Sequence, residues 1–117
     1  MWTIYLTHEF ECWLARQPQP LQEDVLAALG LLKIKGPHLG RPYADTLKGS
    51  RHAGMKELRV QHAGRPIRAF YAFDPHRYAI VLCAAEKKGD EKRFYRVMLR
   101  VADKLFSHYL NHREVYR

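Results

Sequence analysis

The sequence predicts an α/β protein of the α+β kind, a single domain over residues 1–117 in which an antiparallel sheet carries a pair of N-terminal helices and one C-terminal helix. Three observations predict it. Runs of alternating or continuous apolar character at Met55–His62, Pro66–Phe73 and Tyr78–Ala85 are separated by the short breaks Ala63-Gly64-Arg65 and Asp74-Pro75-His76-Arg77, which is the pattern of a three-stranded meander. Leu21, Val25, Leu29 and Leu32 recur at helical spacing ahead of Gly36-Pro37. A longer stripe of Phe94, Val97, Met98, Val101, Leu105 and Tyr109 follows Asp90.

Taken in order, Trp2–Leu6 reads as an opening strand, and Thr7 as the cap of a helix with Phe10, Trp13 and Leu14 on one face. Pro18 and Pro20 separate that helix from the second, so the two form a hairpin covering the sheet. The stretch from Gly36 to Asp45 is a glycine- and proline-rich connection, and the loop after it brings Lys48, Arg51 and His52 towards the sheet. Closure of the first hairpin at Ala63-Gly64, or over His62–Arg65, places Arg59 beside Arg68. A second loop of Asp74–Arg77 pairs Phe73 with Tyr78 and Arg68 with Cys83, so Cys83, Ala85 and Lys87 share the arginine face.

The opposite face collects Leu58, Val60, Ile67, Ala69, Tyr71, Phe73, Tyr78, Ile80, Leu82 and Ala84 as the core under the helices. Glu57, Arg59, Arg68 and Lys87 are left on the other face, away from it, with Phe70 available to stack on a base. Like charges side by side destabilise a sheet, so an anion is expected between the arginines. Glu57, diagonal to Arg68, supplies a structural salt bridge; a phosphate, gripped by two guanidinium forks that Glu57 holds in place, supplies a functional reading. On this placement Arg68→Ala removes a phosphate contact without opening the core.

Composition sharpens the second reading. The chain has 20 Lys+Arg against 12 Asp+Glu, a formal net charge of +8, and residues 41–100 hold 14 of those bases and only 6 of the acids. A basic surface gathered around a sheet suits a polyanion. Cys12 and Cys83 fit a reduced, cytoplasmic chain, and no run is long enough to span a bilayer, so no membrane role is expected. His108 and His112 have metal-ligand spacing but lack supporting ligands, Ser50 lacks a nucleophile setting, and the glycines match no phosphate-binding fingerprint. No metal and no cofactor is expected. Nor is there a helix-turn-helix that would read DNA.

The run Gly40-Arg-Pro-Tyr-Ala-Asp-Thr-Leu-Lys-Gly-Ser-Arg-His52, with Met55–Val60, Gly64-Arg-Pro-Ile-Arg68, Phe73-Asp-Pro75, Lys87 and Arg93-Phe-Tyr95, resembles the RelE/ParE superfamily of bacterial type II toxins, in particular its phage-derived, HigB-like branch. The similarity runs through nearly the whole chain. It implies a RelE-like fold, neutralisation in a hetero-oligomer with a small antitoxin of helix-turn-helix, HigA-like type, and metal-independent cleavage of mRNA on the ribosome through attack by the RNA's own 2′-hydroxyl, blocking translation and growth. Arg59, Arg68 and Lys87 match its basic catalytic positions, and RNA contacts are expected from Lys48, Arg51, Lys56, Arg65, Lys88 and Arg93. Glu57, His52 and Tyr95 are orienting or reserve candidates, and Tyr71 is disfavoured by its core-facing parity. Lys87 or Lys88 serves as the base if crowding by arginines lowers its pKa; otherwise a lysine stabilises the phosphorane. The resemblance also admits a ParE-like inhibitor that binds DNA gyrase without cutting RNA.

Overall fold

The computed structural model describes residues 1–113. The chain runs β1 (Ile4–Leu6), α1 (His8–Ala15), α2 (Gln19–Lys35), a 3-10 turn (Gly36–His38), β2 (Ala44–Thr46), β3 (Lys56–His62), β4 (Arg65–Phe73), β5 (Ala79–Glu86) and α3 (Glu91–Asn111). The expected meander is β3-β4-β5, but the sheet has five strands in the order β1-β5-β4-β3-β2 and is mixed, because β1 joins β5 in parallel. Residues 44–46, within and just beyond the stretch read as connection, instead form β2, an edge strand antiparallel to β3.

Thr7 caps α1 as expected: its hydroxyl accepts from the Phe10 amide at 3.1 Å and donates to the Leu82 carbonyl at 2.6 Å, which ties the helix start to β5. Gly36 ends α2 at φ 56°, and a Cβ there would run into the Trp2 indole, so both conformation and packing select glycine. Asp90 caps α3 by accepting from the Lys92 and Arg93 amides at 2.9 and 3.3 Å.

The first hairpin turns on Ala63 and Gly64, both with positive φ, and pairs His62 with Arg65 and Arg59 with Arg68. The second hairpin departs from the expected register. Asp74 accepts from the amides of His76 and Tyr78 at 2.9 Å, extending the loop by one residue, so Phe73 faces Ala79. A bulge then places Leu82 and Cys83 against Phe70, and Arg68 faces Ala85 rather than Cys83. The extra residue keeps Cys83 and Ala85 on the arginine face but moves Tyr78, Ile80 and Leu82 there too.

That face is therefore not open. Leu58, Val60, Ile67, Ala69 and Tyr71 pack under α1 and α2, while Phe70, Ala72, Ile80 and Leu82 form a second core under α3. Of the expected stripe, Tyr109 is buried and Phe94, Met98 and Leu105 pack half-buried beside Leu99, Ala102 and Phe106, which the stripe lacked, while Val97 and Val101 are 46% and 40% exposed. Small Ala102 lets the helix approach the sheet closely. No helix among the described residues is long and apolar enough to cross a membrane.

Candidate functional site

Alternation along β3 turns Glu57 and Arg59 to the α3 side, and the register of β4 sets Arg68 next to them. Glu57 is 2% exposed and Arg68 5%, so both are buried. Around the Glu57 carboxylate, Arg59 Nη1 lies 2.9 Å from Oε2, Arg68 Nε lies 3.5 Å from Oε1, and the Tyr95 hydroxyl donates to Oε1 at 2.6 Å. Arg68 also donates from Nη1 to the Ile67 carbonyl at 3.1 Å. Glu57 is thus a buried hub whose partners come from β3, β4 and α3.

The placement of Arg68 corrects the expectation that its removal leaves the interior undisturbed. Its side chain is enclosed because α3 covers the neighbouring strand face, and its charge answers that of Glu57. Arg59, with a side chain 25% exposed, faces solvent in an open cleft of about 520 Å³. The cleft collects five cations, Arg41, Lys48, Arg59, Lys87 and Lys92, and three carboxylates, Asp45, Glu57 and Glu91.

Lys87 leaves the end of β5 and reaches over the Tyr95 ring, with Nζ 5.9 Å from its centroid and 2.7 Å from Glu91 Oε1. Donation by Lys87 holds the Glu91 carboxyl below its usual range, helped by the nearby charges of Arg68 and Arg59. Arg41, at the opposite wall, is fixed by Asp45 through contacts of 2.8 and 3.0 Å. Arg41, Glu91 and Lys92 were not singled out from sequence as site residues. The i, i+4 pairs Arg41/Asp45 and Lys87/Glu91 were the available signal, but only the fold brings the two pairs to one cleft.

The other expected contacts divide by location. Lys48 lines the cleft; Lys88 and Arg93 border a neighbouring groove of about 400 Å³. Arg65 lies at the hairpin end, paired with Glu86 at 2.7 Å. Lys56 has the parity of Leu58 and bonds Thr46 Oγ1 at 2.9 Å, on the face opposite the cleft, because one residue along a strand reverses the side chain. Arg51 and His52 sit on the loop anchored to α3: Asp103 accepts from Ser50 Oγ and from the Arg51 amide, and His52 Nε2 contacts Ser107 Oγ at 2.9 Å. Their loop is locked to the side of α3, and neither residue lines the cleft.

The Tyr95 hydroxyl is committed to the Glu57 carboxylate. Burial and its bond to Glu57 push its phenol up to about 12, with Arg68 opposing. Tyr71 lies on the helix-pair face, its hydroxyl raised to about 12 by burial, and the same effect takes the Cys83 thiol to about 12. Because the folded-state phenol of Tyr95 is raised above its ordinary value of 10, the stabilisation is full below pH 10 and lost as pH rises through about 12. Tyr95→Phe should remove one late-ionising phenol from an absorbance titration and cost about 1–2 kcal/mol in urea unfolding, since Glu57 loses one donor. Among the described residues no three His, Cys, Asp or Glu side chains gather as a metal site.

Comparison with known proteins places this geometry in context. Residues 12–107 match the model of a family described as phage-derived protein Gp49-like. Over 110 residues, 93% of this chain and 54% of the relative, the sequence is 40% identical to the candidate toxin HigB2 of Mycobacterium tuberculosis. It is 37% identical to the candidate toxin HigB3 of the same organism over 107 residues, covering 92% of each. The chain therefore spans about half the length of the first relative and nearly all of the second. The crystal structure of the isolated E. coli RelE toxin superposes with a TM-score of 0.59 at 10% identity, covering 84% of this chain and 97% of that one, a likeness of fold.

Proposed function

Because the chain belongs to the phage-derived Gp49-like family, in the HigB-like branch of the RelE/ParE superfamily, we propose that it is the toxin of a type II toxin–antitoxin pair and acts as an endoribonuclease on mRNA engaged with the ribosome. The observation that carries this reading is the shared cleft of Arg59, on β3, and Lys87, just past the end of β5, two cations whose positions are fixed by Glu57, Tyr95 and Glu91.

Cleavage by this route needs no activated water, because the RNA supplies its 2′-hydroxyl. That oxygen attacks the adjacent phosphorus as the bond to the 5′-oxygen breaks; the hydroxyl proton passes to a base, and the departing 5′-oxygen takes a proton from solvent water. Arg59 offers its fork to the non-bridging oxygens, and Lys87 adds a point charge. Arg68 acts from behind, holding the carboxylate that holds Arg59. When Lys87 turns to the phosphate, Glu91 loses its hydrogen-bond donor and is left as a cleft carboxylate free to take the proton. A cognate antitoxin of helix-turn-helix, HigA-like type would neutralise the toxin in a hetero-oligomer.

Induced expression followed by mapping of RNA 5′ ends, run beside a gyrase supercoiling assay, tests the reading. New 5′ ends within coding sequence with normal supercoiling are expected. Intact messages with impaired supercoiling would establish the ParE-like mode instead.

A further inference from the structure

We propose that the outer face of α2 is a seat for a second copy of this chain, the two α2 helices packing antiparallel about a two-fold axis at Gly30. The helix is apolar on both sides. Leu21, Val25, Leu29 and Leu32 are buried in the core under the helix pair, while Leu26 and Ile34 are 53% and 61% exposed on the opposite side. At 3.6 residues per turn Leu26, Gly30 and Ile34 fall within about 80° of arc, bordered by Ala27. Gly30 and Ala27 are exposed as well. A helix that is apolar all round is ordinarily covered all round, and a continuous apolar row marks a contact surface where single exposed side chains do not.

The face is complementary to itself, which points to a second copy. Every acid of α2, Glu23 and Asp24, precedes Gly30, and every base, Lys33 and Lys35, follows it. Lysines in the last turn suit the helix dipole, but the acids lie beyond the first turn, where the dipole no longer accounts for them. Asp24 is held by His62 at 2.6 Å. Glu23 has the neutral Gln19 amide at 3.3 Å, and among the described residues Glu23, Lys33 and Lys35 form no ion pair. Antiparallel pairing about Gly30 sets Lys33 of one copy about 6 Å along the axis from Glu23 of the other, within reach of a four-carbon stem. The contact occurs twice, as a two-fold axis requires. Leu26 of each copy stands level with Ile34 of the other. A parallel pair would set acid on acid and base on base, so the charges also select the direction.

Gly30 makes the crossing close. Glycine weakens a helix interior relative to alanine, yet a Cβ at Gly30 would meet nothing within 4 Å. Packing within the chain therefore gives no reason for the missing side chain, whereas a helix laid across it does, because the side chains at a crossing set how near two axes come. No α2 residue lines the Arg59 cleft, so the pairing is independent of the cut site and of the nuclease reading. A single helix seam lies at the small end of specific interfaces, which makes the pair weak and concentration-dependent.

Sedimentation equilibrium of the purified full-length protein over roughly 1–500 μM spans the range in which such pairs dissociate. The wild type should pass from monomer to dimer, and Leu26→Asp should remain monomeric where the wild type is paired. Glu23→Lys and Lys33→Glu, both on the exposed face, should each pair about tenfold more weakly. An equimolar mixture of those two should pair at least as tightly as the wild type, since each supplies the charge the other lacks. If Leu26→Asp fails to fold, the two charge variants and their mixture decide alone. A wild type that stays monomeric throughout would overturn the inference, as would dimers indifferent to Leu26→Asp or a mixture no tighter than its components. A monomeric wild type together with loss of antitoxin copurification in Leu26→Asp would assign the face to the antitoxin instead.

Discussion

Arg59→Ala should lower single-turnover RNA cleavage by about 10²–10³ and abolish growth inhibition, while the protein stays folded and still copurifies with its antitoxin. The magnitude follows from removing one preorganised donor set from a phosphate that gains charge in the transition state. Folding is spared because the Arg59 side chain lies at the cleft wall, 25% exposed, and the Glu57 carboxylate keeps Arg68 and Tyr95. Arg59→Lys keeps the charge but loses the planar fork and should fall between the two. Full toxicity in the alanine variant, with the fold intact, would remove the cleft from the chemistry.

Glu57→Ala should cost about 3–5 kcal/mol of stability, a large part of what a domain of this size has, and shift the urea midpoint accordingly. The carboxylate is 2% exposed and sits between two guanidinium groups. Its loss strands Arg68, 5% exposed, as a buried charge with no carboxylate and only the neutral Ile67 carbonyl and Tyr95 hydroxyl beside it. Glu57→Leu combined with Arg68→Met should recover much of that stability, since apolar residues of similar volume replace a buried pair with little net loss. Activity should not return, because Arg59 has lost its anchor. Recovery of both together would show that the hub serves folding alone. Little destabilisation in Glu57→Ala would contradict the burial argument directly.

The arginine pair was legible because the Ala63-Gly64 turn and the alternation of β3 and β4 fix one register whichever way the turn closes. The sheet's second half was not. Val81, Leu82 and Cys83 are all apolar, so no polar residue marks which way each points, and a bulge among them leaves no trace in the pattern. The longer Asp74 loop, which turns Ile80 to the arginine face, and the packing of α3 over that face close it, which is why the expectation of an open face with Arg68 dispensable to the interior fails. On α3, Leu99, Ala102 and Phe106 are buried against the sheet while Phe94, Met98 and Leu105 pack half-buried along their edge; only the shape of the sheet ranks the two arcs. Arg41 and Lys48 reach the cleft from the stretches flanking β2 and Lys87 and Lys92 from the turn into α3, so their convergence is a property of the fold.

The most direct measurement of the central claim is the chemistry of the RNA ends made by the purified protein on translating ribosomes. Attack by the 2′-hydroxyl predicts 5′-hydroxyl ends paired with 2′,3′-cyclic phosphates, and both should vanish with Arg59→Ala. Ends bearing 5′-phosphates, or RNA left whole at saturating protein, would contradict the account.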